Sequence, residues 1–104
     1  MASGGRPFRE VESMRLTYAV VLLPEREGGF TVEVPALSGC FSRGETINEA
    51  LRNAEEAMRC HLESIIQHND EIPREGDTVP LATEDLTEAI VFRVSVTLEK
   101  AQVA

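Results

Sequence analysis

The chain has 104 residues, of which 18 are acidic and 10 are basic, so its formal net charge at neutral pH is −8. Residues 16–104 carry a net charge of −9, which disfavours direct binding to nucleic acid, because such binding depends on Lys and Arg that neutralise phosphates. The length suits one domain, no apolar run is long enough for a membrane helix, and two cysteines are too few for a disulfide framework.

The N-terminal residues 1–13 contain two glycines and a proline but no sustained apolar period. They also lack the apolar centre of a signal peptide. We therefore predict a flexible extension over residues 1–13, a single domain over residues 14–104 and a cytoplasmic location, with Met14 as an alternative start.

The first predicted strand, β1, is the continuous apolar run LTYAVVLLP at residues 16–24, as expected of a strand buried on both faces. Gly28 and Gly29 follow, and glycine permits the positive φ angles that tight hairpins require. Alternation of apolar residues over residues 30–34 then predicts β2, antiparallel to β1. Three acids flank this hairpin, where acids are normally solvated, and we assign them to a partner-facing surface: Glu25, Glu27 and Glu33.

A short third strand and the helix follow. Pro35 ends β2, and residues 40–43 are predicted to form β3. Thr46 with Glu49 three residues later is typical of a capping box, in which each side chain binds the other residue's amide. Apolar residues then recur every three or four positions, which predicts one amphipathic helix over about residues 47–68.

The last predicted element is β4, because the even-numbered residues from 90 to 98 are all apolar and alternate with residues that are mostly polar. Residues 69–87 are rich in Pro, Gly and acids and are predicted to be a long surface connection. The order βββαβ predicts a two-layer α+β domain: an antiparallel three-stranded meander, a returning strand and one helix packed on the sheet. One helix covers one face only, so we expect a homo-oligomer, a dimer or tetramer, that buries the other face or pairs an edge.

Catalytic and metal-binding chemistry finds little support in the sequence. Cys40 alternates with Phe41 and is predicted to be a buried packing residue, since free cysteine is among the most buried residue types. The possible metal ligands follow no metal-binding spacing, and β1 contains no acid of the kind that a carboxylate nuclease places in its central strand. We therefore predict no enzyme activity, no cofactor and no metal site. The metal ligands considered are Cys40, Cys60, His61 and His68.

The order of motifs from β1 through the helix resembles the N-terminal domain of the HicB antitoxin family, over roughly residues 16–73. The resemblance consists of an aromatic-started strand, an acidic turn with Gly-Gly-aromatic, a strand that ends in Pro, a loop with Gly-Cys, a Gly-Glu-Thr helix start and an EAL helix. Ala36 departs slightly, since the family often has an acid there. The matching residues are Tyr18, Gly28, Gly29, Phe30, Pro35, Leu37, Gly39, Cys40, Gly44, Glu45, Thr46, Glu49, Ala50, Leu51, Ala54 and Ala57.

This resemblance implies a truncated ribonuclease-H-like fold without catalytic acids and a partner that is a small basic HicA-type toxin, an RNA-cleaving protein. Members of the family typically continue into a DNA-binding domain, whereas this sequence stops soon after β4, so we do not expect it to bind its own promoter. The residues leave two alternatives: an orphan HicB-like structural or ligand-binding domain that acts as a homo-oligomer, and a degenerate nuclease, which the missing strand acids disfavour.

Overall fold

A computed structural model describes the backbone of residues 11–75 and 88–101, with side chains for residues 13–75 and 88–99. In the described residues one four-stranded sheet has the order β3-β2-β1-β4, and all neighbouring strands are antiparallel. One helix of this described part packs on the sheet, so the predicted α+β fold with the order βββαβ is confirmed. The elements are β1 (Val11–Pro24), β2 (Phe30–Glu33), β3 (Phe41–Gly44), α1 (Ile47–Gln67) and β4 (Ile90–Ala101).

The ladder between β1 and β4 is longer than the sequence predicted. β1 begins at Val11 rather than Leu16, and β4 ends at Ala101 rather than Leu98. The added residues form the outer end of the ladder, with Val11 opposite Ala101 and Arg15 opposite Thr97. Backbone pairing stabilises this end although its side chains are largely polar, so its residues lack the apolar run that marked the rest of β1. Residues 1–10 of the predicted extension lie outside the described residues.

The core lies between α1 and one face of the sheet. Because α1 repeats every 3.6 residues, its fully buried residues are spaced by four and share one face. Burying one large apolar side chain stabilises the fold by about 1.5–3 kcal/mol, so this face determines how the helix sits. Within the described ranges, no helix is long and apolar enough to cross a membrane. The core includes Ala50, Ala54, Met58 and Leu62 of α1 with Val20, Leu22, Val32, Val34 and Val96 of or beside the strands.

The start of α1 contains the predicted cap with one difference. The Oγ1 atom of Thr46 accepts a hydrogen bond from the Glu49 amide at 3.1 Å, as the sequence predicted. The Glu49 carboxylate, however, accepts from the amide of Glu45 at 2.6 Å instead of from that of Thr46. The prediction of a strictly reciprocal box is therefore wrong by one residue, and the pair instead secures both the helix and the turn before it.

Residues 71–75 run along β1 and are held there by polar contacts. The hydroxyl of Tyr18 donates to the carbonyl of Pro73 at 2.7 Å, and the Ala19 amide donates to the carboxylate of Glu75. The same carboxylate lies 2.9 Å from a guanidinium nitrogen of Arg93 on β4. The first part of the predicted connection is thus tied to the sheet, while residues 76–87 lie outside the described part of the chain.

Candidate protein-binding surface

The turn between β1 and β2 is closed by two backbone hydrogen bonds. The amide of Glu25 donates to the carbonyl of Gly29, and the amide of Gly28 donates to the carbonyl of Glu25, both at 3.0 Å. The φ angles are +106° at Gly28 and +79° at Gly29, a region that residues with a Cβ atom rarely adopt. The two glycines therefore permit the tight backbone turn that carries the flanking acids.

A polar crevice of about 230 Å³, the hairpin crevice, opens beside this turn. Glu25 and Glu27, both exposed, line it together with Glu45 from the residues before α1. The Glu25 carboxylate accepts a hydrogen bond from the hydroxyl of Thr31. A guanidinium nitrogen of Arg43 lies 3.8 Å from a carboxylate oxygen of Glu45, and both side chains are exposed. This ion pair therefore contributes little to stability and leaves both charges accessible. The structure thus brings two of the three predicted partner-facing acids together.

The third acid, Glu33, is in a different environment. It lies on the sheet face opposite α1, where the strand register places it between Val21 of β1 and Phe41 of β3. Its residue surface is only 6% exposed. The expectation that Glu33 is solvated is therefore wrong, because this residue lies between two neighbouring strands, while its role at a partner-facing surface stays a prediction.

A second, more apolar crevice of about 390 Å³ lies at the other end of the molecule, between the end of α1 and the ladder of β1 and β4. We call it the apolar crevice. The sequence reasoning missed it because Met14 was placed at the border of the extension. The alternation of Met14, Leu16 and Tyr18 was the signal that could have extended β1 to this point. The crevice is lined by Ser13, Met14, Glu63, Ile66, Gln67, Leu98 and Glu99.

Several of the motif residues lie in the loop between β2 and β3, where they form its turn. The amide of Val34 donates to the carbonyl of Cys40 at 3.1 Å, and the amide of Cys40 donates to the carbonyl of Leu37 at 2.9 Å. Leu37 and Cys40 are buried, and Gly39 has a positive φ of +84°. These residues shape the loop from inside, so we interpret their part of the motif as structural.

Gly44 has a separate role at the junction of β3 and α1. A Cβ atom at this position would lie 2.4 Å from the backbone nitrogen of Ala50. Real side chains do not tolerate such a distance, so the close approach of strand and helix requires glycine here. This contact places Glu45 and the hairpin crevice at the helix start.

Cys40 is 4% exposed, which confirms the prediction that it packs in the core. Burial raises the pKa of its thiol and so disfavours the thiolate that a nucleophilic cysteine needs. Cys60 is exposed on α1, and His68 lies at the helix end, where its Nδ1 atom is 2.8 Å from the carbonyl of Ser64. Among the residues with described side chains, no three His, Cys, Asp or Glu residues come together as a metal site.

Comparison with known proteins adds a family to this geometry. The model of a family described as "HicB_like antitoxin of bacterial toxin-antitoxin system" matches residues 18–104. A UPF0150 protein from Thermoplasma acidophilum is 45% identical over 61 residues, which are 59% of this chain and 88% of the relative.

Solved structures give the same fold. The N-terminal domain of the Burkholderia pseudomallei antitoxin HicB superposes with a TM-score of 0.62 at 28% identity, and the match covers 78% of this chain and 98% of that domain. A chain of a HicA3 and HicB3 toxin-antitoxin complex superposes with a TM-score of 0.55 at 25% identity, over 75% of this chain and 94% of that one. Each likeness thus extends over three quarters or more of this chain.

Proposed function

Because the chain belongs to the HicB-like antitoxin family of bacterial toxin-antitoxin systems, we propose that it is a non-catalytic antitoxin that binds and masks a small basic HicA-type toxin. In this proposal the toxin is an RNA-cleaving protein whose active site becomes inaccessible in the complex. The complex of HicA3 with HicB3 supports a toxin as the partner, since the matched chain of that toxin-antitoxin complex shares this fold.

The observation that carries the proposal is the acidic surface. The chain has a net charge of −8, and its exposed Glu25 and Glu27 project from a turn that two glycines hold in one geometry. Exposed carboxylates attract a basic protein, and their placement on a tight turn concentrates this attraction at one end of the hairpin. Opposite charge also accelerates the encounter, which suits a protein that must neutralise a toxin before RNA is cleaved.

The test uses the HicA-type toxin encoded with this chain, carrying an inactivating substitution so that it can be purified. Titration calorimetry of the full chain with this toxin measures the affinity. We expect Glu25→Lys with Glu27→Lys to weaken binding by about tenfold, equivalent to ~1.4 kcal/mol, because two attractive charges become repulsive. RNA cleavage by the active toxin should be inhibited by the unchanged chain and less by this variant.

The matched control is Glu56→Lys with Glu71→Lys, which changes net charge by the same amount at exposed positions of α1 and of the segment after it. If the hairpin crevice is the docking site, the control retains most of the affinity. An equal loss in both variants would show a diffuse charge effect and remove the hairpin crevice from the proposal. No binding of the toxin by the unchanged chain would overturn the antitoxin function.

The remaining parts of the proposal concern assembly and location. We propose that the protein acts in the cytoplasm, where the RNA substrates of such a toxin are, and that it works as a homo-oligomer. Its acidic composition supports a function without direct nucleic-acid binding. Light scattering coupled to gel filtration measures the oligomeric state. The same measurement with duplex DNA from the operon shows whether the protein binds nucleic acid.

A second function is favoured by the apolar crevice. Its volume of about 390 Å³ and its apolar residues Met14, Ile66 and Leu98 are in the range of small-ligand sites. An orphan HicB-like domain without a toxin would use this crevice to bind a small apolar ligand. Mass spectrometry of the protein purified under native conditions distinguishes the two, since the antitoxin function predicts a bound basic protein and the orphan function a bound small molecule.

A further inference from the structure

Among the strands that the structure describes, none pairs with the outer side of β4, which is a long edge. β4 is the last strand of the sheet and has 12 residues, many of them β-branched, whereas the opposite edge strand β3 has four. A long edge with unpaired amides and carbonyls is a template for another strand.

The structure also shows which backbone groups point outward. Ala19 lies opposite Arg93 of β4, but its amide donates to Glu75 instead of to Arg93. Ala19 and Arg93 are therefore a non-hydrogen-bonded pair of the ladder. Residues opposite each other alternate between hydrogen-bonded and non-hydrogen-bonded pairs, so the odd-numbered residues of β4 turn their amides and carbonyls away from β1. The close side chains of Thr17 and Ser95, whose hydroxyl oxygens are 2.6 Å apart, fit a non-hydrogen-bonded pair.

One outward carbonyl already has a partner from within the chain. The guanidinium of Arg59 on α1 donates to the carbonyl oxygen of Thr97 at 2.6 Å. Arg59 is also held by Glu55, 3.1 Å away, so the helix presents this cation to the strand edge. In the single chain Arg59 thus satisfies one position in the middle of the edge, and an incoming strand must replace that bond.

We propose that β4 pairs antiparallel with β4 of a second copy of this chain, about a two-fold axis at Val96. In this register Arg93 faces Glu99 of the second copy, and the symmetric contact repeats it. Ser95 then faces Thr97 of the second copy, so its outward amide reaches the Thr97 carbonyl that Arg59 occupies in the single chain. Because all these residues are odd-numbered, the outward backbone groups match, and opposite charges lie on the same face of the joined sheet.

Charge selects this register among the neighbouring ones. A shift of the axis by one residue, to Ser95, places Glu99 opposite Val91 and Arg93 opposite Thr97, so both charges lose their complementary partners. Arg93 is 61% exposed and so can reach across the interface beside its bond to Glu75. The joined sheet has eight strands, with both helices on one face.

The interface specifies the homo-oligomer of the proposed function, and its test uses this chain without any toxin, so the two can fail separately. Sedimentation velocity of the full chain measures its assembly. We expect a dimer for the unchanged chain and a shift to monomer for Glu99→Arg, because this change sets two guanidinium groups against each other in both symmetric contacts. Arg93→Glu should do the same, and an equal mixture of the two variants should restore a dimer, because each charge again meets its opposite.

Glu45→Arg is the control, with the same charge change beside β3 at the opposite edge of the sheet. It should leave the dimer unchanged, and circular dichroism checks the fold of every variant. A monomeric unchanged chain, a dimer that Glu99→Arg does not affect, or a mixture that stays monomeric would each overturn the proposal.

Because Arg93→Glu also removes the contact with Glu75 and can destabilise the fold, a cross-link provides a second test. Ser95→Cys and Thr97→Cys are made separately in chains that carry Cys60→Ser. Opposite residues of a hydrogen-bonded antiparallel pair have Cα atoms about 5.5 Å apart, which suits a disulfide. We expect mild oxidation to link the mixed chains and to leave each variant alone unlinked. Linking of one variant with itself, or no linking in the mixture, would contradict this register.

Discussion

Cys40 and Cys60 have the same side chain in opposite environments. Cys40 is 4% exposed in the loop before β3, while Cys60 lies on the exposed side of α1. We expect Cys40→Ser to lower the free energy of unfolding by about 1–3 kcal/mol, because a hydroxyl replaces a thiol among apolar neighbours. Urea denaturation followed by circular dichroism measures the change.

The control for this prediction is Cys60→Ser, which should change stability by less than about 0.5 kcal/mol because the site is at the surface. Equal effects of the two substitutions would contradict the packing role of Cys40. Toxin binding should survive both changes, since neither residue lies at the hairpin crevice.

At the scale of elements, the N-terminal cap of α1 can be recognised in the sequence, and its contribution to the free energy of unfolding can be measured. Thr46 accepts the Glu49 amide, one of the four amides that a helix start leaves without a helical partner. We expect Thr46→Ala to destabilise the protein by about 1 kcal/mol. A thermal melt of Asn48→Ala, an exposed change in the first turn, serves as the reference. If both variants melted together, the cap would not be stabilising the helix.

The elements that the sequence predicted well are those with local causes. The two glycines of the hairpin, the cap at Thr46 and the four-residue spacing of buried side chains in α1 all act within a few residues, and the structure contains each of them. The early start of β1 at Val11 depends instead on a partner about ninety residues away at Ala101. The alternation of apolar residues reaches back only to Met14, and no periodicity within residues 11–13 records that pairing, so the start at Val11 could not be predicted from the sequence.

The same distinction applies to the candidate surfaces. The exposure of Glu25 and Glu27 was predictable because acids in turns are usually solvated, and glycines mark this turn in the sequence. The burial of Glu33 was not, because it depends on which strands lie on either side of this residue. The apolar crevice joins residues of β1, α1 and β4, and a surface of this kind becomes visible only when the register is known.

At the scale of the whole molecule, the net charge of −8 predicts that the proposed binding of a basic toxin depends on salt. We expect the affinity for a basic toxin to fall as ionic strength rises, because the Debye length shortens from about 10 Å at 0.1 M salt to about 3 Å at 1 M. Titration calorimetry over a salt series measures the slope. The association rate should fall more than the dissociation rate rises, since long-range attraction acts on the encounter. A salt-independent affinity would show that apolar contacts dominate.

The pairing of β1 with β4 has a consequence for how the protein is made. Val11 of β1 is synthesised about ninety residues before Ala101, its partner on the strand that forms the longest ladder with β1. Contacts between residues so far apart in sequence form slowly, because a large loop must close before they contribute stability. On the ribosome, β1 can meet β2 and α1 but lacks its longest partner until residues 90–101 leave the exit tunnel. During this interval the side of β1 that β4 will cover is an open edge, and the sheet is completed only when β4 pairs with it.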